Sequence, residues 1–380
     1  MAAAAGTAPG PASDAAIAEP KSTMLTTEAP QIIEHCQLSI TYSPTDIRWV
    51  PSSARFVAIG EKPRGTGALQ VYELDGGKAK LVHECEKPAA FKCATFGASL
   101  VEDRHLATGD YNGGLSVWDL NRTDAPVFAA PKAHSQIINC VDGCGGLGIG
   151  GGAPEIATCS RDGCVRIWDP RVPDPVVSLE PADGETARDC WTVAFGNSYS
   201  DAERCVLAGY DNGDVKLFDL RTNTLRWETN CGNGVVNVEF DRKDIEMNKI
   251  VATTLESRFR VFDARTLHPT EGFAFKEERA HKSTIWRARH LPQNRDLFAT
   301  TGGNGGLNLY RYSYPSKRTF KDEEGHYRGV AGSVELLNSR VLSTQPMVSL
   351  DWSRDMIGLA CAACLDQTLR VYIVTKLDKL

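Results

Sequence analysis

Long apolar runs are missing from this 380-residue chain: none approaches the roughly 20 residues that a bilayer-spanning helix needs. No membrane association is therefore expected. Positive charge is in short supply as well, with 42 Lys and Arg against 48 Asp and Glu, a net charge of −6 and a pI near 5.8. That balance argues against phosphate-backbone binding, so no nucleic-acid partner is expected. HExxH, GxSxG and P-loop motifs are all absent. The expectation is a protein without enzymatic activity, cofactor or metal. Residues 1–30 are rich in Ala, Pro, Thr and Ser and lack a basic segment followed by an apolar one, which excludes a secretory signal. Asp14, Glu19 and Glu28, with no Arg among them, speak against a transit peptide. A disordered tail is the expected form of this segment.

Cysteine is not scarce, but its pattern excludes a disulfide framework. The twelve cysteines fall mostly within expected strands and no secretory signal accompanies them, as for reduced, buried thiols of a cytoplasmic protein. Cys361 and Cys364 form a CxxC. They lie in an expected strand, where residues three apart point to opposite faces of the sheet, so the two thiolates cannot share a metal. Gly143, Gly145 and Gly148 spell GxGxxG after a strand. A dinucleotide site needs a helix next, and Pro154 and the β-rich EIATCS follow instead. A flexible glycine loop is the expectation there.

What the chain has is repetition. ATGDYNGGLSVWD, ATCSRDGCVRIWD, LAGYDNGDVKLFD and VATTLESRFRVFD each run from a β-rich segment through a polar tight turn to a second β-rich segment and an aromatic. The closing aromatics of the full series are Tyr72, Trp118, Trp168, Phe218, Phe262, Tyr310 and Tyr372, spaced by 44 to 62 residues. A period a little above forty closed by a Trp-Asp-like dipeptide is the signature of WD-repeat blades. The expected fold is all-β, a seven-bladed WD-repeat propeller over residues 31–380, behaving as a monomeric ring. Each blade should hold four antiparallel strands, as CWTVAFG, RCVLAGY, DVKLFDL and TLRWET supply in blade 4. Blade 7 has three, PMVSLDW, IGLACAA and TLRVYIV, while QIIEHCQLS (31–39) has no local partner. Pairing that N-terminal strand with the last blade closes the ring and removes two exposed edges. Residues 61–67 lengthen a hairpin of blade 1 and residues 143–154 separate two strands of blade 3. Residues 314–333 have the composition of a mobile charged surface loop.

In blade 3, His134, Thr158, Asp162 and Trp168 match the WD-repeat hydrogen-bonding tetrad, in which Asp accepts from His, His meets the Thr hydroxyl and that hydroxyl meets the indole. Thr, His and Asp also resemble a catalytic triad, but a mutually satisfied internal set rigidifies the blade instead. His281, Thr300, Asn304 and Tyr310 are a weaker version in blade 6, and Asn112 and Asn212 stand at the turn position in blades 2 and 4. Trp168 to Arg171 reads WDPR, with FDLR ending at Arg221 and FDAR at Arg265. This resembles the WDxR motif by which WD-repeat substrate receptors dock onto a cullin-type ubiquitin ligase adaptor, an alternative function resting on Arg171 and Arg221. An Arg after the Asp also makes ordinary surface ion pairs.

Segments between the repeats are more specific, among them APQIIEHCQ, GGLGIGGGAPEI, RDCWTVAFGN, AGYDNGDVKLFDLRTNTLRWETN, EFDRKDIEMNK, AHKSTIWRARHLPQNRDLF, GVAGSVELL and LSTQPMVSLDWS. Together they resemble the WD-repeat dynein axonemal assembly factors, from about Pro30 to Leu380. That resemblance implies a cytoplasmic adaptor of ciliated or flagellated cells. Its implied partners are prefoldin-like co-chaperone subunits, a RuvB-like ATPase complex and axonemal dynein chains awaiting assembly.

Propellers bind partners mainly on the narrow face, at the start of each innermost strand and just before the turn Asp. Aligning the blades places Trp191 and Trp286 at equivalent strand starts, with Thr45, Lys92, Asn139 and Val236 in the same place elsewhere. Tyr111, Arg161 and Asp211 precede the turns, and Asp189 sits two residues ahead of Trp191. Aromatics and Arg are the usual interface anchors. Either Trp alone could equally pack against the neighbouring blade, but two at matching positions favour a binding face, with Trp191 and Trp286 as its expected anchors.

Overall fold

A computed structural model describes residues 29–147, 151–182, 184 and 186–380. The expected tail therefore lies outside the described residues except for Ala29 and Pro30, as does Gly148 of the glycine motif. Seven four-stranded antiparallel sheets follow one another along the chain. Blade 4 has its strands at Cys190–Gly196, Cys205–Tyr210, Asp214–Asp219 and Thr224–Asn230, paired in sequence order from the axis outwards. Blade 7 has Met347–Trp352, Leu359–Cys364 and Thr368–Val374, and its outermost strand is Ile32–Ser39, antiparallel to Thr368–Val374. The chain ends are thus joined in one sheet, as expected from the unpartnered N-terminal strand.

The core is divided like the ring. Seven apolar clusters each combine side chains of two successive blades, so every blade junction has its own core. Each closing aromatic sits in the third strand of its blade and wedges towards the blade before it. Trp168, for example, packs with Leu115 and Val117, and Tyr372 with Leu307 and Leu309. The alternation of a strand sends its two faces into different junctions. Cys361 accordingly lies in the blade 7–blade 1 core and Cys364 in the blade 6–blade 7 core, on opposite faces of one strand. All twelve cysteines are free thiols.

Near the axis the junctions are also laced by hydrogen bonds from a side chain of one innermost strand to a backbone amide of the next. Asp46 accepts from the Ala94 amide (2.9 Å), Asp142 from Phe195 (2.8 Å), Thr192 from Val238 (3.0 Å), Asn237 from Ala288 (2.9 Å) and Asp351 from Trp49 (2.9 Å). The last of these bridges blade 7 to blade 1, at the seam of the ring.

One insertion differs from the sequence reading. Residues 314–333, expected as a mobile loop, contain a hairpin (Thr319–Lys321 with Tyr327–Gly329) docked on blade 5. Arg318 donates to Asp263 (2.8 Å) and to Asn248 (2.8 Å), His268 bonds Asp322 (2.9 Å), and Arg328 pairs with Glu271 (2.6 Å). Polar composition suggested mobility, but here the charges face opposite charges on the neighbouring blade. Residues 148–150 of the glycine segment lie outside the described residues; the part before them meets a turn of blade 2, where Gly146 donates to Gly97 and Leu147 to Ser99. A Cβ on Gly146 would come within 2.2 Å of the Ser99 oxygen, so the absence of a side chain serves close backbone approach. Among the described residues no helix follows this segment; the next element is the strand Glu155–Ser160.

Candidate functional site: the mouth of the ring

Every innermost strand pairs with its neighbour through a register shift, and the skipped residue is the same in each blade. The shifts skip Thr45, Lys92, Asn139, Trp191, Val236, Trp286 and Val348. A bulge leaves one residue out of the ladder and re-aims its side chain. Here all seven line one cavity of about 380 Å³ on the ring axis. Tyr111, Leu255 and Leu365, from turns between second and third strands, line it with Ser43, Pro44, Glu61 and Arg287. The strand starts aligned from the sequence are thus brought together. Val348, the seventh of them, and the turn residues Leu255 and Leu365 were missed. Their signal is in the sequence: Val348 follows Met347 as Val236 follows Val235.

Trp191 is half-buried and does two things. Its ring packs over the next blade, where a Cβ on Gly234 would lie 2.7 Å away, and it also lines the mouth. Asn139 donates to Asp189 Oδ1 (2.7 Å), and the Arg161 guanidinium stands 3.8 Å from Oδ2. Burial pushes the Asp189 carboxyl up, against hydrogen bonds from Trp191 and Asn139 and the charge of Arg161. Arg161, Asp189 and Asp211 stand beside the mouth rather than in its lining, and the Asp211 amide donates to the Asp189 carbonyl (3.0 Å). Trp286 lines the mouth while its buried indole N–H finds no acceptor among the described residues. Among the described residues Lys92 forms no ion pair; its ammonium lies 6.0 Å from the Tyr111 ring centre.

The opposite end of the axis is chemically different. A cavity of about 440 Å³ is lined by Arg48, Arg289, Arg354, Asp142, Glu239 and Asp351 among others, and Arg287 lines both cavities. Its charges are largely matched: Lys243 bonds Asp142 (2.5 Å) and Arg289 pairs with Glu239 (3.3 Å).

In the tetrad, His134 Nδ1 lies 3.1 Å from Asp162 Oδ2 and Nε2 lies 2.7 Å from Thr158 Oγ1, which accepts from the Trp168 indole (2.9 Å). Burial alone would raise the Asp162 carboxyl. His134 and the amides of Cys164 and Ser135 outweigh it and hold the group well below the usual carboxylate range. Thr158 is fully buried and its oxygen already engaged, so no substrate can reach it. Blade 2 keeps the Trp118–Thr108 bond (2.8 Å) and blade 6 the His281–Thr300 bond (2.8 Å), with burial lowering His281 to about 4.

Arg171 folds back on Asp169, donating from Nε (2.8 Å) and from its terminal nitrogen (2.5 Å), and the Arg221 amide bonds Asp219 (2.8 Å). Arg171 therefore forms the ordinary surface pair. Among the described residues, His268, Asp322 and His326 group their ligand atoms within 4.8 Å. The Glu271 amide donates to His268 Nδ1 (3.1 Å), which places the ring proton on Nε2, facing Asp322. A metal would need the lone pair that this proton occupies, so the set reads as an anchor for the hairpin.

Comparison with known proteins agrees with this architecture. Residues 127–169 match the WD domain, G-beta repeat, family. The WD40 β-propeller domain of Doa1 superposes with a TM-score of 0.65, covering 90% of this chain and 96% of that one, at 13% identity. Dynein axonemal assembly factor 10 of Xenopus laevis is 60% identical over 354 residues, covering 93% of this chain and 99% of its own. The protein of that name from Homo sapiens is 59% identical over 354 residues, with the same coverage. With a bulge-lined seven-bladed ring and this identity across nearly its whole length, the chain belongs to the dynein axonemal assembly factor 10 family of WD-repeat proteins.

Proposed function

We propose that the chain is a non-catalytic adaptor in the assembly of axonemal dyneins, and that the mouth of the ring is its docking surface. The observation that carries this is the convergence of seven bulge residues, two of them Trp, on one cavity. A rigid ring presenting large aromatics at a partly apolar opening is suited to hold a partner. The names of the relatives support dynein chains as the client class. Prefoldin-like co-chaperone subunits and a RuvB-like ATPase complex are the partners proposed from the sequence resemblance, acting in the cytoplasm before transport into cilia or flagella.

Affinity purification with mass spectrometry tests this against the ligase alternative. The adaptor reading expects co-chaperone or RuvB-like subunits with dynein chains, unaffected by Arg171→Ala combined with Arg221→Ala. Recovery of cullin subunits without chaperones, lost in that double variant, would overturn it. The closed Arg171–Asp169 pair gives the ligase reading no support.

A further inference from the structure

The lining of the mouth is not uniform around the ring. Blades 4 to 7 contribute Trp191, Val236, Trp286 and Val348, with Leu255 and Leu365 above them. Blades 1 to 3 contribute Ser43, Pro44, Thr45, Lys92 and Asn139, with Glu61 and Tyr111. One arc is therefore apolar apart from Arg287 and the other carries most of the polar groups, so an occupant that satisfies both must be amphipathic.

The polar arc favours one sign of charge. The Thr45 hydroxyl is spent on the Phe91 carbonyl (2.8 Å) and the Asn139 amide group on Asp189 and the Cys190 carbonyl. Lys92 alone on this arc is a cation without an acid partner among the described residues, supported only by the face of Tyr111. Burial pushes its pKa below that of a free lysine, so an unpaired ammonium there is costly and a matching anion stabilises it. Arg287, at the floor, adds positive charge; its nearest acid, the fully buried Asp46, is 3.9 Å away and pairs more closely with Arg48 (2.9 Å). Glu61 opposes these two.

We infer that the mouth takes a partner segment carrying an Asp or Glu side chain beside a bulky apolar residue, the carboxylate meeting Lys92 and the apolar group lying on the Trp191–Trp286 arc. This rests on the mouth being the docking surface and names the chemistry it selects. A side chain rather than a chain terminus is the source of the carboxylate. Terminal carboxylates are held by nests of free backbone amides, and the rim amides are already used. Those of Tyr111, Arg161, Asp211, Leu255, Gly303 and Leu365 each donate to a carbonyl of the loop entering the innermost strand.

Fluorescence titration of the full chain with three peptides tests this. The probes are Ac-Gly-Glu-Gly-Leu-Phe-Gly-amide, its Gln counterpart, and the Gln counterpart with a free C-terminus. The Glu probe should bind at least about tenfold tighter than the capped Gln probe, as expected for a charge-assisted hydrogen bond. Lys92→Met should abolish that preference, Lys92→Arg should keep it, and Glu61→Gln should enlarge it. Trp191→Ala should weaken both capped probes by a similar factor. Equal binding of Glu and Gln probes, a preference that survives Lys92→Met, tightest binding of the free-terminus probe, or no binding of any probe would each overturn the inference. If Trp191→Ala weakens capture of the cellular partner while Lys92→Met leaves the Glu preference intact, this inference fails and the docking surface stands. If neither variant affects capture or probe binding, both fail.

Discussion

Asp162 and Asp46 are carboxylates kept ionised by their surroundings, in two different ways. Asp162 is held by His134 and two amides within the turn region of one blade. Asp46 is fully buried; burial works to raise its carboxyl, but Arg48, Arg287, the Ser349 hydroxyl and the Ala94 amide outweigh it and hold it below the usual range. A carboxylate with a depressed folded-state pKa contributes stability that is full above about pH 4 and is lost as pH falls through the folded value. The stability difference between wild type and Asp162→Asn should therefore shrink as pH drops below about 4, in denaturant titrations at several pH values. Asp162→Ala at neutral pH should cost about 1–3 kcal/mol, the loss of a buried partner, with probe binding retained in the folded fraction. Lost binding at unchanged stability would make the tetrad a functional site. Asp46→Ala strands Arg48 and Arg287 near the axis and should cost more, about 3–5 kcal/mol. Asp162 was legible because its partners recur at fixed repeat positions. Asp46 was not, because apart from Arg48 two residues on, its partners lie in three other blades, and no local pattern marks a polar residue that will bond a distant amide.

Among the elements, the closing strand and the blade 6 hairpin give opposite lessons about reading order from composition. Gln31–Ser39 was legible because blade 7 lacked a strand and this segment lacked a partner. Removing residues 1–29 should leave the melting temperature nearly unchanged, whereas removal through Ser39 exposes the edge of Thr368–Val374 and should abolish soluble monomer. Equal stability of the two truncations would refute the role of the strand in closure. The hairpin was misread because charge runs are usually solvated, and nothing local announces that Arg318 will meet Asp263, whose side chain is 1% exposed. Limited trypsin digestion should cut after Arg318 slowly in the wild type. Arg318→Ala leaves Asp263 buried without its ion pair, held among the described residues only by the Arg265 amide, and should speed cleavage at neighbouring Lys317 and Lys321 while lowering stability by about 3 kcal/mol. Rapid cleavage after Arg318 in the wild type would restore the mobile loop.

The whole molecule is a ring whose seven junction cores are similar and whose axis is chemically polarised, partly apolar at one mouth and charged at the other. Blade number and closure were legible because the aromatic that ends each repeat is also the wedge of each junction. The mouth was legible in part: aligned strand starts named six of its seven bulge residues, but the bulges themselves leave no sequence signature apart from that alignment. The division of labour between Trp191 as packing and Trp191 as lining could not be read at all, since it depends on the missing side chain of Gly234 in the next blade. The docking role of the mouth is tested most directly by measuring melting temperature and partner capture together on Trp191→Ala and Trp286→Ala. A hot-spot aromatic contributes at least about 2 kcal/mol to binding, roughly thirtyfold in affinity. A core aromatic contributes a comparable or larger amount to folding instead. Capture of the chaperone partner or dynein client should fall by about that factor in both variants, while Trp286→Ala melts close to wild type and Trp191→Ala only modestly earlier. Early melting of both variants with undiminished capture by the folded fraction would contradict the account and move the partner surface away from the mouth.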